Sequence, residues 1–244
     1  MIDYLGHLES AAASLAGALR RGDLEAPVLA CPGWTLRDLG VHVAGAHHWA
    51  RGAILEGHPR TPPPEPPADT GPAALADWYL GHASELRHTL ACTDPEAPCW
   101  TFGPKPSTVA FWHRRQAHET TVHAWDADPA SRVDLALAVD GIDEVVRMFF
   151  PRQVRLRRMA PLAGSLALAP DDLVPSGTPA RWVLTGDGLT PHPSPVGDVD
   201  ATVSGPADVL YLLLWGRIDV GDGRVRISGD ADAARRILTS GIVP

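Results

Sequence analysis

The hydrophobic period changes halfway along the chain, and that change constrains the fold more than any other feature. In the first half, apolar residues recur at helical spacing. Leu5, Leu8, Ala12, Leu15 and Leu19 share one helix face, and Gly22 stands just past the expected end. The segment ACPGWTLRDLGVHVAGAHHWARGAIL opens with a Pro-Gly turn; Thr35 reads as an N-cap with Asp38 as its capping-box partner. Leu36, Leu39, Val43, Ala46, Ala50 and Ile54 form the buried stripe of the second helix. HPRTPPPEPPADTGP is a Pro-rich connection that cannot be helical. A third helix is expected from about Ala73 to Leu90, with Leu75, Tyr79, His82 and Leu86 on one face. After the turn-rich CTDPEAPCWTFGPKPS, a fourth helix starts near Thr108. Four amphipathic helices joined by loops of unequal length predict a bundle. A fifth helical segment is expected near Leu135 to Phe150. Beyond it, the β-like runs SLALAP, RWVLTG, DATVSG and RVRISG are interrupted by the helical pieces PADVLYLLLWGR and DADAARRIL. That mixture reads as an α+β domain. The expected class is α + (α+β): a four-helix bundle over residues 1–130 and a small α+β domain over 131–244, divided between Asp128 and Leu135.

A chain of 244 residues suits one large or two modest domains, and 45% apolar content can fill a real core. A net charge of -8, without any Lys/Arg block, argues against nucleic acid or an anionic membrane as partner. No apolar run reaches the ~18 residues of a membrane span. The N-terminal stretch is amphipathic with early acids, unlike a signal peptide. Cys31, Cys92 and Cys99 match neither a zinc-knuckle spacing nor a disulfide framework, which points to the cytoplasm. Cys31, next to Pro32, reads as structural, and Trp34 and Trp112 read as packing residues.

The stretch RRQAHETTVHAWDAD contains His-Glu-x-x-x-His, one residue longer than the zinc-protease motif. At ~100° per residue, His118 and His123 point ~140° apart on a helix and cannot grip one metal together. Glu119 and His123 are four apart and share a face. The pair needs a third ligand, and bundles supply such ligands from facing helices. His42 edges the buried stripe of helix two; its other reading is a satisfied core histidine. His82 on helix three is a second, lower-ranked candidate. His47, His48, His113 and His118 are expected at the surface or beside the site. Asp126, seven after Glu119, shares its face and suits orienting a ligand, or is a surface carboxylate. Arg115 suits pairing with a carboxylate of substrate or protein, or lies on a solvated face.

CPGWTLRDLGVHVAG followed by RRQAHETTVHAWDAD resembles the mycothiol-dependent maleylpyruvate isomerase family, within the DinB-like superfamily of metal-binding four-helix bundles. DATVSGPADVLYLLLWGR and VRISGDADAARRIL look like that family's second domain, which is similar to a sterol-carrier fold. The resemblance covers most of the chain. It implies Zn2+ held by His42, Glu119 and His123, mycothiol as cosubstrate, and a catalytic arginine from the C-terminal domain, for which Arg217 is the candidate. Asp126, Arg115 and His82 are then candidate contacts for the thiol cofactor or substrate. Three N/O ligands leave one tetrahedral position open, as catalytic zinc requires. Two neutral histidines and one carboxylate leave a site charge near +1, which favours loss of a thiol proton. Glu119 replaces the superfamily's usual third histidine; the lower site charge should keep the thiolate less tightly held and more reactive. The expected function is a zinc-dependent enzyme that activates the mycothiol thiolate. It would serve cis-trans isomerisation of maleylpyruvate to fumarylpyruvate, or S-transfer to an electrophile, the broader thiol-transfer description being preferred. The alternatives are a metal-dependent hydrolase, with hydroxide in the open position and Asp126 as base, and a non-catalytic protein binding an apolar ligand. The partners expected are a small thiol and an electrophile, acting on a monomer or homodimer.

Overall fold

The structure is a computed structural model that describes residues 2–59, 64–67, 70–172, 181–188 and 199–243. Positions 60–63 and 68–69 of the Pro-rich connection lie outside the described residues. The chain divides into two compact units, Met1–Arg132 and Val133–Pro244.

The first unit holds four long helices: α1 (Tyr4–Arg21), α2 (Leu36–Leu55), α3 (Pro72–Cys92) and α4 (Val109–Ala127). Local chemistry sets their starts. Asp3 caps α1 by accepting the Gly6 N–H at 2.9 Å. At α2 the capping box is complete: Thr35 Oγ1 accepts from the Asp38 N–H at 3.2 Å, and Asp38 Oδ2 accepts from the Thr35 N–H at 2.8 Å. Pro72 opens α3, where a missing N–H does no harm. The core has two parts. Leu15, Leu19, Leu39, Val43, Leu75 and Tyr79 fill one, and Leu8, Ala50, Leu86, Leu90 and Trp112 fill the other. Each fully buried Leu contributes about 1.5–3 kcal/mol relative to exposure.

The chain enters α2 through a tight turn. The Trp34 N–H donates to the Cys31 carbonyl at 3.0 Å, Pro32 follows Cys31, and Gly33 has φ 86°. This is the type II arrangement, with Pro first and a left-handed Gly second. Cys31 and Trp34 are the two ends of the turn, so both are held firmly at the start of α2.

The second unit is a mixed sheet with helices. Strands β1 (Leu162–Pro170), β2 (Trp182–Gly186), β3 (Ala201–Gly205) and β4 (Arg226–Gly229) stand in the order β2-β1-β3-β4. β1 is antiparallel to β2 and parallel to β3, and β3 is antiparallel to β4. The parallel pair needs a crossover, and the β2 hairpin lies between its strands in sequence. The expected fifth helix runs further than its pattern suggested. α5 (Leu135–Glu144) continues through a π turn, Val145–Phe149, into α6 (Phe150–Arg155). Pro151, with no N–H to give, falls just where the register widens. α7 (Ala207–Leu214) is almost wholly buried, and the amphipathic α8 (Ala231–Leu238) is capped by Asp230. Among the described residues no helix is long and apolar enough to cross a membrane.

Candidate metal centre

α2 and α4 bring three ligand-type side chains together. His42 Nε2 lies 3.3 Å from Glu119 Oε1, and His123 Nε2 lies 3.4 Å from the same oxygen. All three donor atoms fall within 4.8 Å of one another. These spacings are long for charge-assisted hydrogen bonds, which cluster near 2.7–2.9 Å. They match the edge of a tetrahedron around a metal with bonds of ~2.0–2.1 Å, which is about 3.3–3.4 Å. Two of the three donor separations therefore suit a metal ion with bonds of that length, and the third is bounded at 4.8 Å. His42 is 40% exposed, against 10% for His123, so the cluster opens to solvent on the α2 side. The Trp34 ring lies against both imidazoles, with centroids 4.6 Å from His42 and 6.4 Å from His123.

Behind this cluster is a second layer. His123 Nδ1 lies 2.8 Å from Asp126 Oδ2, a hydrogen-bond distance, and the Asp126 side chain is fully buried. Cys31 Sγ donates to the same oxygen at 3.5 Å. Arg115, itself buried, donates from Nη2 to Glu119 Oε2 at 3.2 Å, the carboxylate oxygen that the histidines leave unused. Burial opposes the charge on Glu119, but its contacts with His123 and His42 and the charges of His123 and Arg115 outweigh it. The carboxyl stays well below its ordinary range. Burial likewise opposes charge on His123, yet its contacts with Asp126, Cys31 and Glu119 hold its pKa well above the ordinary value.

The other expected residues fall elsewhere. His82 is not in this cluster: its ring stands 4.8 Å from Trp78 and 6.1 Å from His48. Arg217 lies in the second unit, where its Nη1 donates to the Trp215 carbonyl at 2.8 Å. His47 and His118, expected at the surface or beside the site, are completely buried, because α4 packs against both α1 and α2 and keeps almost no wet face. Cys31, read as structural, stands at the centre's inner edge. No local period links it to Asp126, 95 residues away. The signal that could have found it is the Pro-Gly turn directly ahead of a ligand-bearing helix.

Fold and donor set define a class: helical-bundle proteins that present two histidines and one carboxylate, followed by a small mixed sheet unit. The family model described as the mycothiol maleylpyruvate isomerase N-terminal domain matches residues 5–128, and the MDMPI C-terminal domain matches residues 136–236. The chain belongs to the mycothiol maleylpyruvate isomerase family. The crystal structure of the mycothiol-dependent maleylpyruvate isomerase shares its fold, with a TM-score of 0.59 at 18% identity, covering 93% of this chain and 92% of that one. A histidine-to-alanine mutant of that enzyme aligns similarly, at TM-score 0.58 and 17% identity over 93% and 92% of the two chains. No curated protein matches the chain.

Proposed function

We propose that the chain is a zinc-dependent enzyme of mycothiol chemistry, with the metal held by His42, Glu119 and His123. The observation that carries this reading is the convergence of two histidine nitrogens on one Glu119 oxygen, at 3.3 and 3.4 Å, with all three donor atoms within 4.8 Å of one another. Zinc bound there supplies a positive centre that favours a thiolate over its thiol.

The chain's own residues prepare that centre. Asp126 accepts a hydrogen bond from the Nδ1–H of His123, which leaves Nε2 as the ligand nitrogen. Arg115 holds Glu119 Oε2, so Oε1 faces the histidines. The exposed edge of His42 is the side from which a small thiol and an electrophile reach the cluster. Isomerisation and S-transfer both begin with thiolate attack. In isomerisation the thiol adds to a conjugated double bond, the resulting single bond rotates, and the thiol leaves. In transfer the new carbon–sulfur bond stays. Membership of the family supports the first, with maleylpyruvate-like compounds as the substrate class. Asp126, the base a hydrolase would need, is buried and committed to His123, which disfavours hydrolysis.

Metal analysis of purified protein should find one zinc per chain. His42→Ala, Glu119→Ala and His123→Ala should each lose most of it, and His118→Ala should keep it. Cobalt-substituted protein should gain a sulfur-to-metal charge-transfer band when mycothiol is added. Stoichiometric zinc in all three ligand variants, or no band at saturating mycothiol, would overturn the proposal.

A further inference from the structure

α2 and α4 meet through a second pair of polar side chains in the bundle interior. His47 Nε2 lies 3.0 Å from Thr120 Oγ1, and both residues are completely buried. His47 is five residues beyond His42 on α2, and Thr120 is the residue after Glu119 on α4. The roles in this bond follow from counting protons. Thr120 Oγ1 lies 2.7 Å from the Gln116 carbonyl one turn back, and its single proton goes there. Toward His47 it acts only as acceptor, so His47 Nε2 carries the ring proton. Among the described residues His47 Nδ1 has no hydrogen-bond partner, so the Thr120 contact is what selects the tautomer.

We propose that the His47–Thr120 bond is a positioning device for the metal centre. It fixes the axial register of α2 against α4, and with it the distance from His42 to Glu119. This role rests on the metal reading above. Glu119 and His123 are spaced by a single helix and need no help. His42 comes from another helix and is 40% exposed, so its distance from Glu119 depends on how α2 sits against α4. Register matters at this scale. A slip of a tenth of a helical turn moves a side chain about 0.5 Å, whereas metal–ligand distances hold to about ±0.2 Å. A directional bond one step from Glu119 restrains that slip where apolar packing alone would tolerate it.

Two variant pairs test the proposal, read by cobalt affinity in chelator competition and by the cobalt d–d spectrum, with far-UV circular dichroism to confirm folding. Thr120→Val removes the acceptor and keeps the shape; Thr120→Ser keeps the hydroxyl. His47→Leu removes the donor and leaves Thr120 its bond to Gln116; His47→Gln keeps an N–H in place. Thr120→Val and His47→Leu should bind cobalt about tenfold more weakly, with an altered spectrum, while the conservative partners stay near wild type. If Thr120→Val does not fold, the His47 pair decides. Wild-type affinity and spectrum in the nonpolar variants, or equal losses in the conservative ones, overturns the positioning role and leaves the metal reading intact. Wild-type protein that takes up no cobalt overturns both.

Discussion

His123 uses its two ring nitrogens differently: Nδ1–H is given to Asp126, and Nε2 faces Glu119 and His42. Two expectations follow. Asp126→Asn removes the charge that orients and polarises the ring, so metal affinity should fall about 10–100-fold, measured by chelator competition. Metal uptake should also depend on pH. The contacts that raise the metal-free His123 pKa favour a proton on the ring, and that proton competes with the metal for the imidazole. Below that pKa, affinity should rise about tenfold per pH unit, then level off above it. The level region should begin at lower pH in Asp126→Asn, where less charge supports the imidazolium. Affinity that is flat between pH 6 and 8 would contradict the assignment of His123 as a competing acid. The local half of this centre was legible in the sequence, because Glu119, His123 and Asp126 are spaced four and three apart and a helix places such residues side by side. Cys31 was not, because its contact with Asp126 exists only after the bundle has closed.

At the scale of elements, starts and turns were the legible parts, because caps and Pro-Gly turns are chemistry between near neighbours. The Thr35–Asp38 box is present as read. Thr35→Ala should cost about 1 kcal/mol in urea unfolding. The Cys31–Trp34 turn is a sharper test. Among the described residues a Cβ at Gly33 would meet nothing within 4 Å, so the penalty in Gly33→Ala is that of its φ of 86°. That penalty should be about 1–2 kcal/mol, and Gly33→Asn should lose less, because Asn tolerates the left-handed region. Since this turn carries both Cys31 and Trp34 to the centre, Gly33→Ala should also weaken metal binding; an unchanged affinity would separate the turn from the site. What periodicity could not show is how wet each helix face is. An amphipathic reading assumes one dry stripe. α4 buries Arg115, Gln116, His118 and Thr120 around its circumference, so polar residue type there does not signal exposure.

For the whole molecule, the switch from helical to strand-like period announced two kinds of architecture, and both are present. Sheet order and the run of α5 through a π turn into α6 were not legible, since strand pairing depends on contacts far apart in sequence. The buried histidine now gives the folding equilibrium a predictable acid limb. Burial lowers the His47 pKa to about 3, aided by the neighbouring histidines and opposed by Glu119, against 6.5 in the unfolded chain. Between those values the unfolded state holds a proton that the folded state lacks. Stability therefore falls as pH drops from about 6.5 toward about 3, by about 1.4 kcal/mol per pH unit. The raised His123 pKa acts in the opposite sense: its contribution is fully present below pH 6.5 and is lost as pH rises through the folded value. The lowered Glu119 pKa contributes stability above 4.5 that is lost only as pH falls through its own folded value, so it changes little between pH 6.5 and 5. Comparing wild type with His47→Gln cancels the terms the two proteins share. In metal-free protein, urea unfolding of wild type should lose about 2 kcal/mol relative to His47→Gln between pH 6.5 and 5. His47 belongs to the helical unit. If unfolding resolves into two transitions, only that unit's transition should carry the difference. Parallel pH profiles for the two proteins would mean that His47 is protonated without unfolding, and that the bundle core admits a charge its burial should forbid.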